Sequence, residues 1–292
     1  MRRFLFTLTL AGCNDFLAPL PSPSRVDSLR VLALTTPTPE VHPGTPLAVR
    51  AFWVDPSATP ESPPLYFRWR LCRETEGSDP RECPASSAGI DLRSDGIGDV
   101  VQLTPEQLTP SETDLRTVFN VYVALCRGAA PRLDPRQGRF VCDNRAFVEA
   151  TRRVTVRSSG ALNQVPRVAG WALRCGDATV PLPSVPHSEP VEFRLRPADC
   201  ARWTLAVTPA SDAAERADDG TPETLMASFF ASGGRLDRPR DIAAAGEVRT
   251  LQAVWTPPAL TDGGSTPDPW IWVVLRDQRG GETVLDARLM LR

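Results

Sequence analysis

The stretch Leu65-Tyr66-Phe67-Arg68-Trp69-Arg70-Leu71 has the clearest periodicity in this chain. Every second residue is large and apolar, while tyrosine and arginine occupy the positions between them. Successive side chains of a β-strand point to opposite faces of a sheet, so this alternation predicts a strand with one buried face. Trp69 would then lie in the core.

Segments of the same kind occur along most of the chain, separated by turns that contain proline and glycine. The 30 prolines interrupt most windows that could form a helix, and many of them fall between the alternating segments. We therefore predict an all-β protein. Its predicted strands are Leu29–Leu34, Leu47–Val54, Leu65–Leu71, Val118–Leu125 and Ala146–Val156, followed by Val168–Leu173, Val191–Leu195, Trp203–Val207, Leu225–Phe230, Val248–Trp255, Trp270–Leu275 and Val284–Leu291.

The chain is long enough for two domains, since 292 residues exceed the usual size of one. Ser158-Ser159-Gly160 marks a boundary between the two groups of strands. Short strands with frequent turn signals are typical of β-sandwiches. We predict a first sandwich over residues 27–157, a linker over 158–164 and a second sandwich over 165–292.

A resemblance to a known family supports this architecture. Leu29-Arg30-Val31-Leu32-Ala33, followed by Pro39-Glu40-Val41-His42-Pro43-Gly44 and Leu47-Ala48-Val49, resembles the opening of bacterial immunoglobulin-like domains. Trp69 suits the buried core tryptophan of that family. The end of the chain, from Trp272 to Gly281, resembles the last hairpin of PKD-like sandwich modules. The resemblance implies two immunoglobulin-like β-sandwiches in tandem.

The cysteines predict an oxidising compartment. Six of them follow Cys13, and an even number in an exported chain is typical of disulfides. Six cysteines allow fifteen pairings, so the connectivity stays open, although pairing of sequence neighbours is favoured. The alternation places Cys72 and Cys126 opposite the apolar faces of their strands, where they would fix loops. The favoured pairs are Cys72–Cys83, Cys126–Cys142 and Cys175–Cys200.

The N-terminus has the features of an export signal. A short basic start precedes the apolar run Phe4–Leu10, and small residues then lead to a cysteine. Leu10-Ala11-Gly12-Cys13 resembles the lipobox of bacterial lipoproteins, in which the signal is cut before the cysteine and that cysteine is acylated. The resemblance implies a signal peptide over residues 1–12 and a lipidated tether over 13–26.

These features predict an exported protein that Cys13 anchors in a lipid bilayer of the bacterial envelope. The outer membrane is favoured, with the protein facing the periplasm or the cell surface, but the choice between inner and outer membrane stays open. No other stretch approaches the about 20 apolar residues that span a bilayer. The formal net charge of -2 argues against a nucleic-acid partner, which would require a basic surface.

The sequence contains no catalytic motif that we recognise. The two histidines, His42 and His187, lie in proline-rich turns, and no cysteine or histidine spacing matches a metal site. We therefore expect no enzyme activity, no cofactor and no metal. One question stays open: the loop Asp91–Asp99 carries three aspartates, which could supply oxygen ligands to calcium, although a plain turn-rich loop is favoured.

The sequence thus predicts a non-catalytic binding or structural role in the cell envelope, with a protein or a glycan as partner. Two long loops, Thr75–Gln102 and Ala129–Arg139, are candidates for recognition. The alternative is a carbohydrate-binding accessory protein, and a hydrolase with a dispersed site is a more distant one. The seven tryptophans are mostly predicted to lie in the core, and Trp270 and Trp272 would be buried with Val274.

Overall fold

The structure is a computed structural model that describes residues 23–75, 83, 89–92, 98–110, 114–134, 136, 138–143, 147–182, 193–195, 200–217, 219–259 and 268–291. Over these ranges the chain consists of β-strands, turns and loops. The prediction of an all-β protein is confirmed. Within the same ranges, no helix is long and apolar enough to span a bilayer.

The described residues form twenty strands. In the first half of the chain they are β1 (Arg30–Thr35), β2 (Glu40–Val41), β3 (Leu47–Val54), β4 (Leu65–Arg73), β5 (Ile90–Asp91), β6 (Val100–Leu103), β7 (Arg116–Arg127), β8 (Arg132–Asp134), β9 (Arg139–Val141) and β10 (Phe147–Arg157). In the second half they are β11 (Val168–Cys175), β12 (Ala178–Leu182), β13 (Phe193–Leu195), β14 (Trp203–Pro209), β15 (Met226–Ala231), β16 (Arg235–Asp237), β17 (Arg240–Ile242), β18 (Leu251–Thr256), β19 (Trp270–Arg276) and β20 (Glu282–Leu291).

The first sandwich consists of a three-stranded sheet, β1-β3-β6, and a five-stranded sheet, β2-β10-β7-β4-β5. The chain changes sheets between β1 and β2: β1 pairs antiparallel with β3, whereas β2 runs parallel to β10. Pro37 and Pro39 lie at this crossing, and a proline cannot donate to a sheet because it lacks an N–H. The first edge segment of the chain is thus divided between the two sheets, as β1 in one and β2 in the other. Together with β4, β7 and β10 packed face to face against β1, β3 and β6, this is an immunoglobulin-like arrangement.

Trp69 lies at the centre of the first core, as the alternation in β4 predicts. Its side chain is 2% exposed, and its indole N–H donates to the carbonyl of Gly98 at 3.2 Å. Phe67 and Leu71 point to the same side and join the same core. The hydrogen bond satisfies the polar end of the ring, which is what a buried tryptophan requires.

The second sandwich consists of two five-stranded sheets, β12-β11-β14-β18-β16 and β13-β20-β19-β15-β17. Here β13 runs parallel to β20, as β2 does to β10. The predicted strand Val248–Trp255 begins only at Leu251, and Arg249 instead pairs with Asp241. The strands that the sequence did not predict are the short ones: β2, β5, β6, β8, β9, β12, β16 and β17.

The described residues contain three disulfides, and they are the favoured pairs: Cys72–Cys83, Cys126–Cys142 and Cys175–Cys200. The first lies on the outer face of β4, where it packs with Tyr122 and Phe140. Cys126 lies on the outer face of β7, opposite Val123 and Leu125, which enter the first core. These two disulfides therefore fix loops and do not join the sheets, as expected. A disulfide that closes a loop of this size stabilises a fold by about 3 kcal/mol.

Candidate functional site: a cleft between the two sandwiches

The two sandwiches pack against each other along a seam, which we define as the contact between sheet β1-β3-β6 and the outer faces of β15, β19 and β20. Both outer faces carry apolar side chains that would otherwise be exposed. Burying a large apolar side chain stabilises by about 1.5–3 kcal/mol. The buried side chains of the seam are Val26, Leu32, Ala33, Phe52, Trp272, Val274 and Val284, with Val54, Phe230 and Trp270 partly buried beside them.

The sequence did not predict the seam, because β19 is apolar on both faces. Ile271, Val273 and Leu275 enter the core of the second sandwich. Trp272 and Val274 are buried, as predicted, but they are covered by the first sandwich. Alternation identifies a buried face only when the opposite face is polar, so a strand that is apolar throughout does not reveal what covers each side.

Arg152 on β10 connects the two sandwiches through a buried guanidinium group. One of its nitrogens, Nη1, donates to the carbonyl of Leu34 and to Oε2 of Glu282, the latter at 3.1 Å. The other, Nη2, donates to Oγ1 of Thr36 at 3.0 Å and to the carbonyl of Gly280. Arg152 is 5% exposed, and this burial lowers the pKa of its guanidinium group.

The carboxylate of Glu282 balances the positive charge of Arg152. Its Oε1 accepts a hydrogen bond from Nε of Arg276 at 2.7 Å, while its Oε2 accepts from Arg152 and from the backbone N–H of Leu34 at 3.2 Å. Arg276 also donates from Nη2 to the carbonyl of Leu32 at 2.8 Å. The backbone of β1 is thus held by side chains of the second sandwich, which fixes the relative position of the two units.

A second polar cluster ties the linker to both sandwiches. Glu40, only 1% exposed, accepts hydrogen bonds from the backbone N–H of Asn163 at 2.9 Å and from Nη2 of Arg279 at 2.6 Å. The amide of Asn163 donates to Oδ2 of Asp277 at 3.1 Å. Asp277 also caps the last hairpin, because its Oδ1 accepts from the N–H groups of Arg279 and Gly281.

Gly281 is required in this hairpin for steric reasons. A Cβ atom at this position would lie 2.1 Å from Oδ2 of Asp277 and 2.8 Å from Cδ of Pro166. The glycine that the sequence places in the hairpin therefore allows a carboxylate to approach the backbone closely.

Glu223 lies beside the same cluster, 2% exposed, with Oε1 3.5 Å from Nη1 of Arg279. Burial, and then the negative charge of Asp277, raise the pKa of its carboxyl group. Between the ordinary pKa and this raised value the folded state retains a proton that the unfolded chain has lost. The contribution of Glu223 to stability is therefore present at low pH and is lost as the pH rises through the raised pKa.

We expect Glu223→Gln to become progressively more stable than the wild type as the pH rises from 4 towards neutrality. Glutamine resembles the protonated acid, so the two proteins should have similar unfolding free energies at the low end. Urea denaturation at a series of pH values would measure the difference between them. A difference that does not change with pH would contradict the expectation.

Asp241 provides a control, because its contribution to stability changes with pH in the opposite direction. Its carboxylate accepts two hydrogen bonds from Arg249, at 2.7 and 2.8 Å, and these lower its pKa. Its contribution to stability is present above the ordinary pKa and is lost as the pH falls through the lowered value. Asp241→Asn should thus be less stable than the wild type near neutrality, and the difference should shrink in acid.

An open cleft of about 680 Å³ lies at one end of the seam. A neighbouring groove of about 280 Å³ shares Pro56 and Trp270 with it, and we refer to the two together as the seam cleft. Both sandwiches contribute to its walls. Its lining residues are Arg25, Asp27, Phe52, Trp53, Val54, Asp55, Pro56, Ser232, Gly233, Gly234, Arg235, Thr256, Pro257, Pro258, Asp268, Trp270, Trp272, Asp286 and Arg288.

Tryptophans form the apolar part of the seam cleft. Trp270 is partly buried and stacks on Trp272, with ring centroids 6.2 Å apart and planes inclined by 7°. Trp53 is also partly buried and packs on Phe67 at 6.4 Å. The indole N–H groups of these three tryptophans donate to no protein group among the described residues. In contrast, Trp255 donates to the carbonyl of Gly233 at 3.0 Å.

Charged side chains of both signs surround these rings. Arg288 pairs with Asp268 at 3.2 Å, and Arg235 pairs with Asp237 at 2.9 Å. Asp55 pairs with Arg127. Arg25 and Asp27 are exposed at the mouth of the cleft. The cleft therefore combines an apolar surface, hydrogen-bond donors and hydrogen-bond acceptors, with little net charge.

The structure does not bring the other residues considered in the sequence analysis, the two histidines and the aspartates of the loop Asp91–Asp99, into a common site among its described residues. His42 hydrogen-bonds through Nδ1 to the carbonyl of Arg157 at 3.0 Å, and His187 lies outside the described residues. Asp91 pairs with Arg68 at 2.9 Å and with Arg70 at 2.7 Å, so both of its oxygens already have cationic partners. The centre of its loop lies outside the described residues, as does Cys13. No group of three or more metal-ligating side chains occurs among the residues that the structure describes.

Sequence reasoning missed the seam cleft because its residues come from separate turns and strand ends. The segments near Arg25, Pro56, Ser232, Pro257 and Trp270 are distant in sequence and form no motif. The only available signal was the cluster of tryptophan and proline around Trp270, which alternation assigned to the core.

No family model matches the chain, and no curated protein matches it. Among solved structures, it is similar to the CupB2 chaperone of Pseudomonas aeruginosa, with 8% identity over 86% of this chain and 96% of that one, at a TM-score of 0.23. The ectodomain of human desmocollin-1 has 10% identity over 86% of this chain and 34% of that one, at a TM-score of 0.21. The adhesin InvE of Yersinia pseudotuberculosis has 9% identity over 90% of this chain and 58% of that one, with the same TM-score. TM-scores this low carry no argument about function.

Proposed function

We propose that this protein is an exported cell-envelope protein, anchored in a bilayer through acylated Cys13, with a non-catalytic binding role. The observation that carries the binding role is the seam cleft, whose walls come from two sandwiches that buried ion pairs hold together. A preorganised site loses less entropy when it binds a ligand than a mobile one does. The three disulfides support export, because such bonds persist in oxidising compartments.

The tether would keep the seam cleft close to the membrane. Arg25 lines the cleft, and the backbone on either side of it, at Ser24 and Val26, pairs with Ala231 at the end of β15. The chain between Cys13 and Pro23 can span at most about 35 Å, since one residue extends by about 3.5 Å. A ligand of the cleft would therefore belong to the membrane surface or to the layer next to it.

A non-catalytic role is supported by two of the four carboxylates that line the cleft. Asp268 and Asp55 are each paired with an arginine. A hydrolase would require a carboxylate that is free to exchange protons with a substrate. We therefore favour binding over turnover.

The anchor is tested by expressing the full chain, with its N-terminal sequence, in a bacterial host. We expect the protein in the membrane fraction and an acylated N-terminal peptide beginning at Cys13 by mass spectrometry. Cys13→Ser should leave the membrane fraction, whereas Asn14→Ala, a change at the next position, should remain there with its lipid. Membrane-bound protein that still carries Met1 would overturn the anchor.

A further inference from the structure

We infer that the seam cleft binds an uncharged carbohydrate chain, with Trp270 as the surface on which a sugar ring lies. This inference rests on the proposed binding function and specifies its ligand. Four properties of the cleft carry it: an aromatic face with a rigid support, indole N–H groups that have no acceptor among the described residues, acceptors at the rim and a small net charge.

Trp270 provides the aromatic face of the cleft. A sugar ring presents C–H groups on its flat side, and the negative face of an indole attracts them while water is excluded. Trp270 is supported from behind by Trp272, which is 4% exposed. Pro56 and Pro258 line the cleft beside it, and their rings have little conformational freedom to lose. The platform is therefore formed before a ligand arrives.

The floor of the cleft is equally fixed. Gly234 has φ of 78°, and a Cβ there would lie 2.3 Å from the carbonyl oxygen of Thr256 and 2.8 Å from Nε1 of Trp255. Only glycine allows the Gly233-Gly234 turn to approach β18 this closely. The hydrogen bond from Trp255 to the carbonyl of Gly233 then holds the turn in place.

The polar groups match hydroxyls. A hydroxyl both donates and accepts a hydrogen bond, so a sugar needs partners of both kinds. The N–H groups of Trp53, Trp270 and Trp272 have no acceptor among the described protein groups and supply donors. The carboxylates of Asp27 and Asp268 supply acceptors.

These acceptors distinguish a glycan from a proline-rich peptide, the other ligand that favours aromatic grooves. Proline has no backbone N–H, so such a peptide offers carboxylates few donors. The charges at the rim also argue against an anionic ligand. Of the three arginines that line the cleft, Arg288 and Arg235 are already paired with Asp268 and Asp237. Four aspartates also line the cleft, so an anionic ligand would meet a small net negative charge.

The test is isothermal titration calorimetry on the full chain in detergent, with three neutral tetrasaccharides: chitotetraose, cellotetraose and maltotetraose. We expect saturable binding of at least one of them. Trp270→Ala should weaken that binding about tenfold or more, which corresponds to about 1.4 kcal/mol. Leu115→Ala, at a side chain that does not line the cleft and is 75% exposed, should leave it unchanged.

Asp27→Asn provides a second variant in case Trp270→Ala disturbs the seam. Asp27 is exposed, so its replacement should weaken binding without lowering the melting temperature. Binding of none of the three tetrasaccharides, or equal binding by Trp270→Ala, would overturn the inference. So would binding of a decaproline peptide in their place. Hydrolysis of a bound tetrasaccharide would instead retain the ligand and overturn the non-catalytic role.

Discussion

Arg152→Ala is expected to lower the free energy of unfolding by about 3–5 kcal/mol, the usual result of removing one partner from a buried ion pair. The change removes the donors to two backbone carbonyls, those of Leu34 and Gly280, and to the hydroxyl of Thr36. Each of these acceptors then loses a donor in a region with little access to water, which adds to the loss. Urea denaturation followed by circular dichroism would measure it.

The adjacent residue provides a matched control. Arg153 lies on the same strand but points to solvent, with a side chain 61% exposed and an ion pair to Glu74 at 2.9 Å. Surface pairs of this kind contribute about 0–1 kcal/mol, so Arg153→Ala should have little effect. Equal losses in the two variants would show that the guanidinium group of Arg152 is not buried between the sandwiches in solution.

Trp272→Ala is expected to cost a similar amount, about 3–5 kcal/mol, because it removes a large side chain from the seam and leaves a cavity. Trp272 packs against the first sandwich and not in the core of its own. The loss therefore measures the contact between the two units. Thermal and urea unfolding of the full chain would provide the value.

Trp272→Phe serves as the comparison, since it retains an aromatic ring and most of the buried area. It should cost clearly less than the alanine variant. If Trp272→Ala unfolded at the same urea concentration as the wild type, the seam would not exist in solution. The rigid cleft would then lose its physical basis.

The sequence predicted well what depends on neighbouring residues along one strand. The alternation around Trp69 identified a strand and its buried face, because side chains of a strand point to opposite faces. The same reasoning placed Cys72 and Cys126 on the outer face. Cys72 packs there with Tyr122, and Cys126 lies on the side of β7 opposite Val123 and Leu125. The favoured pairing of cysteines that are neighbours in sequence is also confirmed for all three disulfides.

The sequence predicted poorly what depends on contacts between distant segments. The short strand β2, which the sequence did not predict, is held by parallel pairing with β10, so it has little signal of its own. Arg152 shares a face of β10 with the core residues Val154 and Val156, whereas Arg153 points to solvent, and a hairpin of the second sandwich covers the guanidinium group of Arg152. Nothing in the local pattern indicates such a covering.

The sequence by itself determined the fold class, favoured the disulfide pairs that the structure contains and predicted lipidation at Cys13, because each depends on local periodicity, spacing or a short motif. Only the tertiary structure decided that the two sandwiches share a buried seam and that Trp53, Trp270 and Trp272 meet in a cleft. The physical reason is that alternation specifies which side of a strand is apolar, whereas the partner that covers this side is chosen by packing across the whole chain.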